Sequence, residues 1–277
     1  MSMHRREVLA GGLAGGLAAW AGGASAQSAP QSAPQTAPQT APQGAPQAAN
    51  AVGGPLVAAT GRYQARPLAH PPLPPLGPGF HKLGLAERDA HLFVPPGLDP
   101  TKPAPLIIML HGKSQLANEV MGEWKRAVSR RKVLLMAPQS RDFTWAFDKG
   151  PIGPDAVFID RAMDAIFQRF VVDPKHIGVA GFSDGASYAL STGLVNGDFF
   201  SDIFAFSAIR YYAPGSFGNP RVFFTHGTRD PGANFANAKS MAAQLKADGC
   251  DVDFYEFNGG HMFDEECVKR SMARFLS

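Results

Sequence analysis

Lys175-His176-Ile177-Gly178-Val179-Ala180-Gly181-Phe182-Ser183-Asp184-Gly185-Ala186-Ser187-Tyr188-Ala189-Leu190 is the stretch on which the fold turns. The residues before Gly181 read as a short buried strand, and those from Ala186 as the opening of a helix. Between them stands Gly181-x-Ser183-x-Gly185. A serine between glycines at a strand-to-helix turn has the spacing of a nucleophile elbow. The turn is tight, so bulk at the flanking positions would collide with backbone; glycine has no Cβ to collide. A pentapeptide this loose also arises by chance in a chain with 30 glycines, so its surroundings must carry the reading.

Outward from Ser183 the chain alternates. Residues 81–87 and 90–94 read as strands joined by a polar turn. Pro105-Leu106-Ile107-Ile108-Met109-Leu110 is a continuous apolar run, as expected of a strand covered on both faces. A helix over 116–130, a strand over 133–137 and a helix over 155–170 follow. After the 176–180 strand and its helix come strands at 203–207 and 222–225, a helix over 234–247, a strand over 252–257 and a closing helix over 264–276. This order predicts the α/β class: a mostly parallel sheet with helices on both faces. Too few residues separate Ser207 from Val222 for a helical lid, so an open cleft is expected.

Functional groups in such a sheet gather at the carboxyl ends of its strands. Four segments fall there: Leu110-His111-Gly112, Ser183, His226-Gly227-Thr228-Arg229-Asp230, and Gly259-Gly260-His261. A serine hydroxyl needs a base to take its proton and a third group to hold that base in the right tautomer. The chain order Ser183, Asp230, His261 suits that arrangement. His261 is the expected base, with His226 the main alternative. His111 and His226 each precede a glycine at a strand end, where imidazole commonly bonds loop backbone. For the acid, Asp184 and Asp264 both stand at helix starts, as dipole partner and N-cap, which leaves Asp230. The backbone N–H groups of Asp184 and Lys113 are the expected oxyanion donors, and the Lys113 side chain is expected to face solvent. Trp145, Phe147, Tyr211, Tyr212 and Met262 are candidates to line the substrate cleft, with packing under a loop the competing reading for each.

The motifs Leu110-His111-Gly112, Gly181-Phe182-Ser183-Asp184-Gly185-Ala186-Ser187, His226-Gly227-Thr228-Arg229-Asp230 and Glu256-Phe257-Asn258-Gly259-Gly260-His261 together resemble the phospholipase/carboxylesterase family of α/β-hydrolases. More distantly they are similar to the polyhydroxybutyrate depolymerase-like and feruloyl-esterase-like group. The resemblance covers about Phe80 to the C-terminus. It implies an α/β-hydrolase fold and a serine esterase without metal or organic cofactor. By position it carries Ser183, Asp230 and His261 as triad and Lys113 and Asp184 as oxyanion donors. The segment Pro231-Gly232-Ala233-Asn234 departs from the apolar, proline-containing segment that family members often carry there. The open cleft expected between Ser207 and Val222, rather than the resemblance, suits a small or polymer-end ester. An acyltransferase or peptidase on the same triad, or a non-catalytic envelope-associated module, are the alternatives.

The N-terminal part reads differently. His4-Arg5-Arg6-Glu7-Val8-Leu9, an Ala/Gly-rich apolar run and Ala24-Ser25-Ala26 read as a twin-arginine-like export signal over 1–26, implying a periplasmic or secreted protein. The run is too short and too rich in Ala and Gly to span a bilayer well, so no stable membrane insertion is expected once the signal is removed. Residues 27–78, with their recurring Ala-Pro-Gln and the run Pro71-Pro72-Leu73-Pro74-Pro75, read as a polyproline-like tether, leaving 79–277 as the folded domain. The net charge of +3 is scattered rather than striped, which argues against a nucleic-acid partner. Cys250 and Cys267 should lie near opposite ends of the last strand, too far apart to pair.

Overall fold

The computed structural model describes residues 54–146 and 151–277, all within one compact unit spanning Ala45–Ser277. The expected export signal, the Ala-Pro-Gln repeat and Phe147 lie outside the described residues. The strands are β1 (Gly79–Lys82), β2 (Ala90–Val94), β3 (Ala104–Leu110), β4 (Leu134–Pro138), β5 (Val172–Phe182), β6 (Asp202–Phe206), β7 (Arg221–Gly227) and β8 (Asp251–Phe257). They form one sheet in the order β1-β2-β4-β3-β5-β6-β7-β8. β1 with β2 and β2 with β4 are antiparallel, and every other pairing is parallel. The helices are α1 (Gly54–Thr60), α2 (Ala117–Arg131), α3 (Pro154–Phe167), α4 (Asp184–Val195), α5 (Phe235–Ala247) and α6 (Glu265–Phe275).

The apolar run of β3 is explained by its two covered faces. Leu106, Ile108 and Leu110 join a core with buried residues of α3, α4 and α5, while Ile107 and Met109 join the core beneath α2 and α6. Every residue of α4 is buried. Its serines survive there by satisfying backbone: Ser187 Oγ donates to Ser183 O (3.1 Å) and accepts from Ile209 N–H (3.0 Å), and Ser191 Oγ donates to Ser187 O (2.7 Å) and accepts from Tyr212 N–H (3.0 Å).

Two strands differ from expectation for local reasons. β1 stops at Lys82 because the Asp89 carboxylate captures the Gly84 and Leu85 N–H groups (2.6 and 3.0 Å), curling the chain away from the sheet. β5 begins as early as Val172 and runs through Pro174; its register with β3 shifts between the Ala104 and Leu106 pairs, and this irregularity accommodates the proline.

Within the expected tether over 27–78, the described residues 54–78 need correction, and with them the domain start at 79. α1 packs on α3, and Val57 (0% exposed) and Tyr63 (1%) belong to the core. Tyr63 N–H donates to Asn196 Oδ1 (2.8 Å), and the N–H groups of Gln64 and Ala65 both donate to Asp160 Oδ1 (2.7 and 2.9 Å). Arg62 forks onto the Asp198 carboxylate at 2.7 and 2.6 Å. Farther along, Leu73 N–H donates to Gln168 O. Composition denied this segment a core of its own; it docks instead into one that α3 and α4 supply.

Candidate active site

β5 delivers Ser183 at its carboxyl end and α4 leaves immediately after it. Ser183 adopts φ 56°, ψ −118°, a conformation that costs a non-glycine residue on the order of 1–3 kcal/mol. The surroundings hold it there. A Cβ on Gly181 would lie 2.1 Å from Gly185 O, and one on Gly185 would lie 2.3 Å from Leu110 O and 2.5 Å from His111 O. The flanking glycines are therefore steric requirements, because strand, turn and helix backbone touch. Ser183 N–H is tied to Phe206 O at 2.9 Å.

The loops after β7 and β8 are zipped together by Thr228 N–H to Phe257 O (2.9 Å) and Arg229 N–H to Gly259 O (3.0 Å). This brings Asp230 beneath His261. His261 Nε2 stands 2.8 Å from Ser183 Oγ, and its Nδ1 stands 2.8 Å from Asp230 Oδ2. The other Asp230 oxygen accepts from the N–H groups of Gly232 and Ala233, each at 2.8 Å. Burial pushes the Asp230 carboxyl up, but the bonds from His261, Ala233 and Gly232 outweigh it and hold the group below its usual range. The acid is thus an ionised acceptor with its proton-bearing partner already oriented.

The competing histidines have other work. His111 is fully buried; its Nε2 accepts from Ser140 N–H (3.0 Å), so the proton sits on Nδ1 and is donated to Gly112 O (2.7 Å). Burial pushes its pKa down, which keeps it neutral. His226, also fully buried, hydrogen-bonds Ala233 O through Nε2 (3.0 Å) and lies 3.4 Å from Asp230 Oδ2, and it is His261 that reaches Ser183. Asp264 caps α6 through Cys267 N–H at 2.9 Å. Asp184 opens α4 and accepts from Thr144 Oγ1 at 2.8 Å, a contact without any signal in the sequence.

Asp184 N–H, at the first position of α4, has no intrahelical acceptor. Lys113 N–H meets no hydrogen-bond acceptor among the described residues. The Lys113 side chain is exposed, with Nζ 5.3 Å from the centre of the Phe143 ring.

A cleft of about 210 Å³ opens at His261, walled by Phe182, Val120, Phe263 and Met262 with Gln115 and Glu119 at its rim. A larger groove of about 520 Å³ lies between α2 and α6, sharing Glu123 and Phe263 with the cleft but touching none of Ser183, His261 and Asp230. Of the hydrogen-bonded trio, His261 lines the smaller one, and neither Ser183 nor Asp230 is among its lining residues. Met262, 47% exposed, lines this cleft. Trp145 does not: it is 2% exposed, stacks on Tyr188 and donates Nε1–H to His111 O (2.8 Å), so it braces the loop before Lys113 from behind. Tyr211 does not either. The 208–213 segment runs down α4 past Ser187 and Ser191, and Tyr211 packs on the core, where burial and then the charges of Asp248 and Cys250, near the amino end of β8, push its phenol up. Tyr212 on the same segment is 53% exposed. Phe182, Gln115 and Phe263 were missed. Phe182 is the variable position inside Gly-x-Ser-x-Gly, and that adjacency was the available signal.

No family model matches the chain, and no curated protein matches it in sequence. Solved structures do match in shape. The fluorophosphonate-binding serine hydrolase F of Staphylococcus aureus superposes with a TM-score of 0.59 at 17% identity, over 73% of this chain and 100% of that one. A phospholipase/carboxylesterase of Dyadobacter fermentans gives 0.52 at 15%, over 74% and 100%. An acetyl xylan esterase of Aspergillus awamori gives 0.57 at 12%, over 71% and 98%. With a mostly parallel eight-stranded sheet and a serine turned sharply into α4, this chain has the α/β-hydrolase fold.

Proposed function

We propose that the protein is an exported serine esterase that hydrolyses carboxylic esters through an acyl-enzyme on Ser183. The observation that carries this reading is the single imidazole of His261 spanning Ser183 Oγ and Asp230 Oδ2 at 2.8 Å each. With Nδ1–H donated to the ionised Asp230, Nε2 is left as the acceptor of the serine proton. Ser183 Oγ attacks the ester carbonyl carbon as its proton passes to His261 Nε2. Charge then collects on the carbonyl oxygen, where the Asp184 and Lys113 N–H groups stabilise it. Collapse expels the alcohol, which takes the proton from His261. A water molecule, deprotonated by the same nitrogen, attacks the acyl-enzyme and releases the carboxylic acid. The cleft volume and the absence of any helix between Ser207 and Arg221 favour a small or polymer-end ester. Export, to the periplasm or the medium, rests on Arg5-Arg6 and Ala24-Ser25-Ala26.

A fluorophosphonate probe and a nitrophenyl acetate assay test the chemistry. Wild type should be labelled on Ser183 and turn over the ester, and Ser183→Ala should lose both. Wild-type protein that is folded yet unlabelled would end the proposal.

A further inference from the structure

One segment, residues 139–146 after β4, touches both places from which oxyanion donors are expected. Phe143 O accepts the N–H of Ser114, the residue after Lys113, at 2.8 Å. Thr144 Oγ1, one residue on, donates to Asp184 Oδ2 at 2.8 Å. The adjacent pair Phe143–Thr144 therefore joins the loop after β3 to the first residue of α4. Each end of this bridge answers a local need. Ser114 has φ 61°, a left-handed backbone that a residue with a Cβ keeps only where its surroundings hold it. Asp184 is 8% exposed, and Thr144 is the only hydrogen-bond donor its carboxylate meets among the described residues. The bridge is itself fixed from behind. The buried Asp155 of α3 accepts from Arg141 N–H and Ala146 N–H (2.7 and 2.9 Å), one on each side of Phe143–Thr144. Trp145 Nε1–H reaches His111 O (2.8 Å), and Gln139 Nε2–H reaches Gln115 O (3.1 Å).

We propose that Thr144 is a positioning residue for the oxyanion site: its hydroxyl and the adjoining Phe143 carbonyl set the separation of the Asp184 and Lys113 N–H groups. The kinetic part rests on the serine esterase reading above. Two donors aimed at one oxygen stabilise its developing charge only where their spacing is set before the reaction begins. Lys113 directly precedes the residue bonded to Phe143 O, and Asp184 carries both the N–H and the carboxylate bonded to Thr144. A shift of Phe143–Thr144 relative to either partner therefore moves one donor against the other. Without the Thr144 hydroxyl, the Asp184 carboxylate would be left buried with no donor. It would turn toward water and loosen the first turn of α4, where the Asp184 N–H stands.

The test compares wild type with Thr144→Val, which keeps the shape and removes the hydroxyl, and Thr144→Ser, which keeps the hydroxyl. kcat and KM for nitrophenyl acetate are measured per serine labelled by fluorophosphonate at completion. Alongside them goes the inhibition constant of a trifluoromethyl ketone, whose hemiketal on Ser183 mimics the tetrahedral intermediate. Thr144→Val should lower kcat by about tenfold with KM little changed, less than the roughly hundredfold or greater loss that follows removal of a whole donor. The ketone should bind more weakly by a similar factor, and Thr144→Ser should stay near wild type in both. A Thr144 that only stabilised its own loop would lower the melting temperature and the labelled fraction, leaving kcat per labelled serine and the ketone unmoved. That result overturns the proposal, as does Thr144→Ser behaving like Thr144→Val. If Thr144→Val fails to fold, Thr144→Ala takes its place with the same expectations. Amide hydrogen exchange followed by NMR reads the bridge without turnover. Ser114 N–H should exchange faster in Thr144→Val than in wild type or Thr144→Ser, and equal protection in all three overturns the bridge. A wild type that neither labels nor turns over ester would sink the esterase reading, and the exchange result would still decide this one.

Discussion

Replacing Tyr63 with alanine should destabilise the protein by about 3–5 kcal/mol, although the residue lies in a segment whose composition suggested a tether. Tyr63 is 1% exposed, meets the Phe199 and Phe200 rings edge-on (centroids 6.4 and 5.9 Å), and its hydroxyl accepts from Thr192 Oγ1 at 2.8 Å. A buried tyrosine hides roughly 150–250 Å², worth about 4–6 kcal/mol at ~25 cal/mol per Å². Alanine keeps a small share of that, and the cavity left between α3 and α4 adds a penalty where the helices cannot collapse. Tyr63→Phe isolates the hydroxyl: it keeps the rings and leaves Thr192, itself 1% exposed, without its acceptor, at a cost of about 1 kcal/mol. In a domain of this size each kcal/mol shifts the melting temperature by about 2–4 °C. Thermal unfolding followed by circular dichroism should therefore show Tyr63→Ala lower by about 6–20 °C and Tyr63→Phe by about 2–4 °C. Well below the transition both should still label with fluorophosphonate at wild-type rate, because Tyr63 meets α4 at Thr192, far along the helix from Ser183. An alanine variant that melts within about 2 °C of wild type would refute the docking of residues 54–66 into the core.

Lys113→Ala should keep most nitrophenyl acetate turnover, since only the backbone N–H is assigned a role and the ammonium reaches no more than the Phe143 ring; a near-total loss would show that the charge itself takes part. Asp230 should leave a pH signature in stability. Its carboxyl is held below the usual range in the folded protein, so its contribution is fully present above its unfolded value, near 3.9, and is lost as pH falls through the lower folded value. The stability gap between wild type and Asp230→Asn in urea should therefore be level from pH 7 to 5 and narrow below about pH 4, and a gap that widens on acidification would contradict the hydrogen-bonding account.

Sheet and elbow were legible because each rests on short-range rules. The apolar run of β3 announces a strand covered on both faces, and the glycines around Ser183 answer clashes only a few ångströms away. What was illegible depends on surfaces built by distant parts of the chain. Tyr63 has no local periodicity; its pocket exists only once Asn196, Phe199 and Phe200 have been folded beside it. Trp145 and Met262 looked alike as large apolar residues on loops, and only the position of the His111 carbonyl sends one inward to brace the loop while the other stays at the rim. The choice between His226 and His261 shows the limit most sharply. Both lie at strand ends beside glycine, and both end within reach of Asp230. One precedes its glycine and is still part of β7, so its ring is committed to the interior; the other follows two glycines and has left β8, so its ring can cross to Ser183. The order of glycine and histidine thus separates the imidazole that reaches Ser183 from the one that stays inside with the Ala233 carbonyl.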